Sequence, residues 1–289
     1  MNKNIIFLGR NGQIANAFFE YYKSKKTQSL DNFNCKFYSS NDVDLGDLDA
    51  VKNFLKTLPS NIDMIVNCMG YTNVDKAEEE QELCDKINHR SVAIIADYCF
   101  NNHIKLIHFS TDYVFDGSGD EPFSEDNTKN LNPINFYGKT KLWAEQAIQK
   151  SGCDYVIIRI SWIYDNRETS HNFVNTIKKL AKEKEFLNIV NDQIGSPTSA
   201  DFVARNCFKI FDEALSGDKT SQQKFQRRIL HLNNGKFMSW YDFACQIIAE
   251  LKQNNAHLMI KKVLAIPSSQ YKTKTPRPSN CRLKSKIHW

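Results

Sequence analysis

Short apolar runs alternate with stretches in which apolar residues recur every three or four positions through the first half of the chain. Ile5 to Leu8 is a continuous apolar run that stops at Gly9. Such a run reads as a strand buried on both faces of a parallel sheet. Gln13 to Tyr22 then carries apolar residues at helical spacing. The alternation continues with a strand at Cys35–Ser39, a helix at Val51–Leu58 closed by Pro59, a strand at Asp63–Cys68 and a long helical pattern over Glu78–Asn101. Lys105–Ser110 reads as a strand, Lys139–Lys150 as a helix and Tyr155–Ile160 as a strand. Strand and helix in turn predict an α/β protein with a Rossmann-type doubly wound parallel sheet.

Beyond Trp162 the rhythm changes. Phe173–Lys184 is an amphipathic basic helix, F-L-N-I-V-N-D-Q-I-G-S-P-T follows, and Ala200–Leu215 is again helical. Gly217–Gln226 is polar and turn-like, a surface loop. A late strand is expected at Arg228–Leu232 and a late helix at Trp240–Leu251, before a basic, proline-punctuated tail. The pattern predicts a nucleotide-binding domain over residues 1–165, to which 190–235 returns, and a smaller C-terminal substrate-binding lobe made mainly of 166–289.

Hydrophobic residues make up 41% of the 289 positions, enough for a packed core and too many for wholesale disorder. The net charge of +5 is mild and spread along the chain, which argues against nucleic acid as a partner and suits an anionic small molecule. The eight cysteines show no C-x-x-C and no zinc-like spacing, a pattern that fits a reducing, cytoplasmic setting. The apolar run in M-N-K-N-I-I-F-L-G-R is too short for a secretory signal. No run approaches the ~20 apolar residues that cross a bilayer, so no membrane is expected as a partner.

The first candidate chemistry is the turn G-R-N-G-Q-I-A, Gly9 to Ala15, between the first strand and the first helix. Gly9 permits a tight turn, Gly12 lets backbone approach a pyrophosphate, and Ala15 lets helix pack on strand. Phosphates would rest on the helix N-terminus, where free N–H groups and the dipole favour anions. An acid at the end of the second strand would select NADH by binding the ribose 2′-hydroxyl. The chain instead has Tyr38-Ser39-Ser40, with Asp42 and Asp44 further on, and Arg10 in the glycine turn can pair a 2′-phosphate. That tilts the cofactor toward NADPH, while a solvated Arg10 would leave NADH equally open. Asp44 and Leu45 fall where they would flank the adenine.

The second is N-F-Y-G-K-T-K-L, which spaces Tyr137 and Lys141 one helical turn apart on one face. A phenol is a weak acid–base catalyst at neutral pH, and a neighbouring ammonium lowers its pKa. The same lysine can hydrogen-bond a nicotinamide ribose. In H-F-S-T-D-Y-V-F-D-G, Ser110 and Thr111 sit at the carboxyl end of a strand, the edge of such sheets that faces ligand. A hydroxyl there can reach both a substrate oxygen and the Tyr137 phenol.

Together G-R-N-G-Q-I-A, N-C-M-G-Y-T-N-V-D-K-A-E, H-F-S-T-D-Y-V-F-D-G, Y-G-K-T-K-L, N-D-Q-I-G-S-P-T and P-R-P-S-N-C-R-L resemble the extended short-chain dehydrogenase/reductases, and within them the dTDP-4-dehydrorhamnose reductase family, over nearly the whole chain. The resemblance implies Tyr137 as proton donor, Lys141 as its tuner, Thr111 as the positioning hydroxyl and Asn88 as the asparagine that completes the set. It implies Asn11, Gly12 and Gln13 at the pyrophosphate, Gly9, Arg10 and Ile14 as further cofactor-binding residues of that turn, and Met69, Gly70 and Thr72 along the cofactor. It implies Val74, Asp112, Trp162 and Arg277 as substrate contacts, Trp162 through its indole face and Arg277 through the substrate diphosphate. Met69 and Gly70 replace the small alanines usual in that segment, and the chain ends at K-I-H-W, short of a further helical segment common in the family. Ala17 stands where an acid of a magnesium site would be wanted, so no metal is carried over.

The implied reaction is hydride transfer from a nicotinamide to C4 of a nucleotide-linked 4-keto-6-deoxy sugar, most specifically dTDP-4-dehydro-6-deoxy-L-mannose. The rivals are a reductase or epimerase of a UDP- or GDP-linked sugar and a non-catalytic NADP-binding regulatory subunit on the same fold. The oligomeric state is left open, a homodimer included.

Overall fold

The computed structural model describes residues 2–254 and 257–287; His288 and Trp289, which close the K-I-H-W tail, lie outside them. The chain opens with β1 (Lys3–Leu8), α1 (Gln13–Lys25), β2 (Phe33–Tyr38), α2 (Leu48–Lys56) and β3 (Met64–Asn67). β4 (Lys105–Thr111) and β5 (Tyr155–Ile160) follow, with the 16-residue helix Phe136–Ser151 between them, called here the Tyr137 helix. The strand Arg228–His231 returns to pair parallel with β5. All six strands are parallel, in the spatial order β2, β1, β3, β4, β5, Arg228–His231. The direction of progression reverses between β1 and β3, which is where open α/β sheets bind ligand beyond their carboxyl ends.

β3, β4 and β5 are buried along their whole length, as the apolar runs require of strands covered on both faces. One core lies between the sheet and α1 with the helix Ala200–Ala214, and is rich in stacked phenylalanines around Phe7, Phe18 and Phe208. The second lies on the opposite face under α2 and the helix Ser91–Asn101. A third, separate core joins the helices Phe173–Glu183 and Trp240–Gln253 to the parallel pair Phe186–Val190 and Lys262–Ile266.

Two elements refine the sequence reading. The helix expected over Glu78–Asn101 runs unbroken from Gln81 to Asn101, with a π-helical turn at Lys86–Arg90 inside it, and a separate short helix, Val74–Ala77, precedes it. A π turn carries one extra residue and is frequent at functional sites; here it holds Asn88, which is buried and bonded to the backbone of Tyr71 in both directions. The loop expected over Gly217–Gln226 contains a short helix, Lys219–Lys224, because the Asp218 carboxylate accepts from the N–H groups of Thr220 and Ser221.

Candidate active site

A cleft of about 560 Å³ opens at the switch point, floored by the turn after β1, the loop after β3 and the end of β4, and walled by the Tyr137 helix and the segment 160–171. Gly9 has φ +101°, and a side chain there would press on Cys68 and Met69, so the turn after β1 can close only with glycine. Gly12 caps α1 without a side-chain bond, and the first turn of α1 holds no acid, so its free N–H groups face the cleft unopposed by negative charge. Asn11, Gly12, Gln13 and Ile14 line this end. The Gln13 amide oxygen is engaged elsewhere: it accepts from Asp165 N (3.1 Å) and Asn172 Nδ2 (2.9 Å), tying the glycine turn to the far wall. What Gln13 offers an anion is therefore its backbone N–H.

Arg10 is not a free surface charge. It lies over the Phe19 ring at 3.8 Å, donates to Asn16 Oδ1 (2.7 Å), and its backbone N–H bonds Tyr38 O at the end of β2. Asp42 folds back to accept from the Ser39 N–H and hydroxyl, while Glu20 lies 4.0 Å from the Arg10 guanidinium. Asp44 accepts from Gly46 N, and Leu45 is buried in the core; neither lines the cleft.

Met69, Gly70, Thr72 and Val74 line the cleft after β3. Asn88 holds this loop by accepting from Tyr71 N (2.8 Å) and donating to Tyr71 O (3.0 Å), and also donates to Thr140 Oγ1 (3.2 Å) on the Tyr137 helix. Asn88 thus acts as a brace between the β3 loop and that helix.

The Tyr137 helix starts at Phe136 because the Asn135 side chain accepts from Gly138 N (2.8 Å). Gly138 has no room for a side chain, since a Cβ would fall 2.3 Å from Tyr113 O. That close approach brings Tyr137 beside Thr111, Asp112 and Tyr113 in one cleft. Thr111 donates to Asp112 Oδ1 (3.0 Å), while Asp112 Oδ2 is buried with no hydrogen-bond partner among the described residues. Burial pushes the Asp112 carboxyl up to about 6. Ser110 lines the cleft as expected, but its hydroxyl is committed to the buried Glu145, to which it donates. Side chains alternate across a strand, so adjacent Ser110 and Thr111 serve opposite sides.

The Tyr137 phenol was expected to be lowered by Lys141; it is raised, first by burial and then by the Asp112 carboxylate, while its contact with Thr111 works the other way. The reason is where the lysine head lies. Lys141 Nζ donates to Phe109 O (2.6 Å) and sits 3.2 Å from His108 Nε2. Burial lowers Lys141 to about 8 against the opposing pull of Glu145. The site therefore holds Tyr137 as a protonated acid beside a lysine that titrates close to neutrality.

Trp162 lines the cleft with φ +48°, a conformation disfavoured for a bulky residue and of the kind found at functional sites. One face of its indole is covered by Trp240 from the third core, the rings stacked at 3.4 Å and 6°. Trp240, Arg167 and His171 line the cleft and were missed by the sequence reading, which took Trp240 only as the start of a helix. No spacing rule connects residues 162 and 240. Arg277 lies outside the cleft lining and pairs with Asp75 (2.9 Å) at the helix after Thr72. It is neither a solvated tail charge nor, in this arrangement, free.

The family described as "RmlD substrate binding domain" matches residues 3–288. The chain is similar to the dTDP-4-dehydrorhamnose reductase of Escherichia coli K12, 34% identical over 281 residues, covering 97% of this chain and 89% of that one. It is 38% identical over 221 residues to the enzyme of that name from Salmonella typhimurium, covering 76% and 71%. Among solved structures it resembles the dTDP-4-dehydrorhamnose reductase of Bacillus anthracis in complex with NADP, with a TM-score of 0.82, 28% identity, and 99% and 92% of the two chains covered.

Proposed function

The chain belongs to the RmlD substrate-binding-domain family, and from that membership we propose that it is an NADPH-dependent oxidoreductase of the dTDP-4-dehydrorhamnose reductase type, reducing the C4 ketone of dTDP-4-dehydro-6-deoxy-L-mannose. The observation that carries the reading is the convergence of Tyr137, Thr111 and Lys141 on the same cleft as the acid-free N-terminus of α1.

The residues present fit a dinucleotide. The first turn of α1 supplies N–H donors for a pyrophosphate, and the turn before it is held tight by Gly9. Arg10, stacked beside the end of β2 with Glu20 at 4.0 Å and Asp42 turned back on Ser39, would meet a 2′-phosphate, which favours NADPH over NADH; the Bacillus anthracis relative was solved with NADP. Bound NADPH supplies the hydride. The chain supplies the proton and the aim. Negative charge develops on the ketone oxygen as the hydride arrives, and Tyr137, kept protonated by its burial, gives its phenolic proton to that oxygen. The Thr111 hydroxyl, whose single proton goes to Asp112 Oδ1 in the empty cleft, would turn that proton to the same oxygen once the ketone is bound. Asp112 Oδ2, buried and unpaired, is placed to accept from a sugar hydroxyl. The paired indoles of Trp162 and Trp240 are backed by Gly195 and Phe173 and line the cleft that would hold the substrate. Orientation of this kind is worth up to ~7–11 kcal/mol of barrier.

The test follows the nicotinamide absorbance while the protein is offered 4-keto-6-deoxy sugars carried on dTDP, UDP and GDP, each with NADPH and NADH. The expected result is stoichiometric NADPH oxidation with the dTDP substrate. Turnover of a UDP- or GDP-linked ketone with none of the dTDP sugar would overturn the substrate assignment.

A further inference from the structure

Behind Lys141 lies a chain of buried polar side chains that the reaction as described does not use. Asn67 closes β3, and His108 sits in β4 directly opposite it in the sheet register. Both are fully buried. Asn67 Oδ1 accepts from Met69 N (3.1 Å), Asn67 Nδ2 faces His108 Nδ1 (3.3 Å), and His108 Nε2 faces Lys141 Nζ (3.2 Å).

The direction of this chain is fixed by donors and acceptors alone. A backbone N–H can only donate, so the Asn67 atom facing Met69 is the oxygen. The Asn67 amide nitrogen, a donor, then faces His108 Nδ1, which must offer its lone pair. A neutral imidazole carries one proton, so that proton is on Nε2 and points at Lys141. Against an ammonium this is donor against donor. Against a neutral amine it is a hydrogen bond. Burial without a carboxylate keeps His108 itself from taking a second proton.

We propose that Asn67 and His108 form a fixed donor chain aimed at Lys141, making His108 a positioning residue that favours the amine over the ammonium and orients its remaining N–H bonds toward Phe109 O and the cleft. The inference deepens the proposed reductase reading and rests on it for its catalytic consequence. The other groups facing the Lys141 head are Cys68 beyond β3, Cys84 from the turn Gln81–Asp85, and Glu145 one turn along its own helix. Glu145 is committed to Arg159 and Ser110, and the two thiols are held neutral by burial, so His108 is the neighbour whose proton position can tip the balance. The sign follows. Lys141 must be charged to serve the nicotinamide ribose as a cationic donor, so activity falls as pH rises through its pKa. A neighbour that disfavours the ammonium brings that fall to lower pH, and removing it moves the fall upward.

Two measurements on the full chain test this. Imidazole ¹⁵N spectra of ¹⁵N-histidine-labelled protein, with His108 assigned by its loss in His108→Gln, should show the neutral Nε2–H tautomer throughout about pH 5–9. Finding the Nδ1–H tautomer or an imidazolium at neutral pH overturns the proposal. In the pH profile of kcat/KM, His108→Gln, whose amide can turn its oxygen to the ammonium, and Asn67→Leu, which frees the tautomer, should each displace the basic limb upward by about one pH unit, a tenfold change in proton affinity, with the KM for sugar little altered. Folded variants that lose kcat at every pH without moving the limb would reduce His108 to a packing residue and also overturn it. If no keto sugar is reduced, the reductase reading fails, and the tautomer measurement still decides the donor chain.

Discussion

Two buried polar clusters flank the Tyr137 helix, one turn apart, and they are built to opposite rules. Around Glu145 the polar groups are matched by partners. Its carboxylate accepts from Arg159 Nε (2.9 Å), Arg159 Nη2 (2.6 Å) and the Ser110 hydroxyl, and the guanidinium lies over Phe115 at 4.9 Å. Around Lys141 and Asp112 the matching is incomplete. The lysine has one carbonyl and an imidazole N–H, and the aspartate has one hydroxyl and a bare oxygen. A buried ion pair with its hydrogen bonds complete fixes geometry and offers a ligand nothing. A buried group left short of partners has its pKa displaced and is ready to accept what a ligand brings. The difference separates the part of the helix that anchors it to β4 and β5 from the part that faces chemistry.

Removing one member of the closed cluster should have the larger effect on stability. Arg159→Met leaves Glu145 buried and unpaired, and chemical denaturation should show a loss of ~3–5 kcal/mol, with much of it regained when Glu145→Leu is added. A loss under about 1 kcal/mol would erase the contrast between the clusters. In the open cluster the sign reverses. The folded-state carboxyl of Asp112 is raised from 3.8 to about 6, so the folded chain holds its proton more tightly than the unfolded chain does. Stability is therefore gained as pH falls through about 6 and is lost as pH rises, the opposite of a paired aspartate. Asp112→Asn should be more stable than the parent at pH 8 by up to ~2–3 kcal/mol, the two should converge below about pH 4, and turnover should fall even as stability rises. Thermal unfolding across pH checks this; an Asn variant less stable at pH 8 would place Asp112 among the satisfied groups.

The parts of this arrangement that depend on neighbours in sequence were legible in the sequence. The alternating runs named all six parallel strands to within a few residues, and N-F-Y-G-K-T-K-L placed Tyr137 and Lys141 on one helical face. The G-R-N-G-Q-I-A turn was readable because tight turns and helix N-termini are local events. What was not legible depends on which residues the fold brings together from afar. Ser110 and Thr111 both line the cleft, and only the sheet's covering helices decide that the Ser110 hydroxyl is taken by Glu145. Trp240 reaches Trp162 across a separate core. The π turn at Lys86–Arg90 holds Asn88, whose bond to Tyr71 is a contact no helical periodicity encodes. The expected lowering of the Tyr137 phenol assumed an ammonium aimed at it, whereas Phe109 O and His108 hold that head group.

The central claim is that Tyr137 delivers the proton that completes hydride transfer. Its most direct test is the single-turnover rate of NADPH oxidation by Tyr137→Phe at saturating dTDP-4-dehydro-6-deoxy-L-mannose, alongside the NADPH affinity of the same variant. The account predicts a rate reduced ~10²- to 10⁴-fold with cofactor affinity retained. A rate within about threefold of the parent, or a loss explained wholly by NADPH no longer binding, would contradict it.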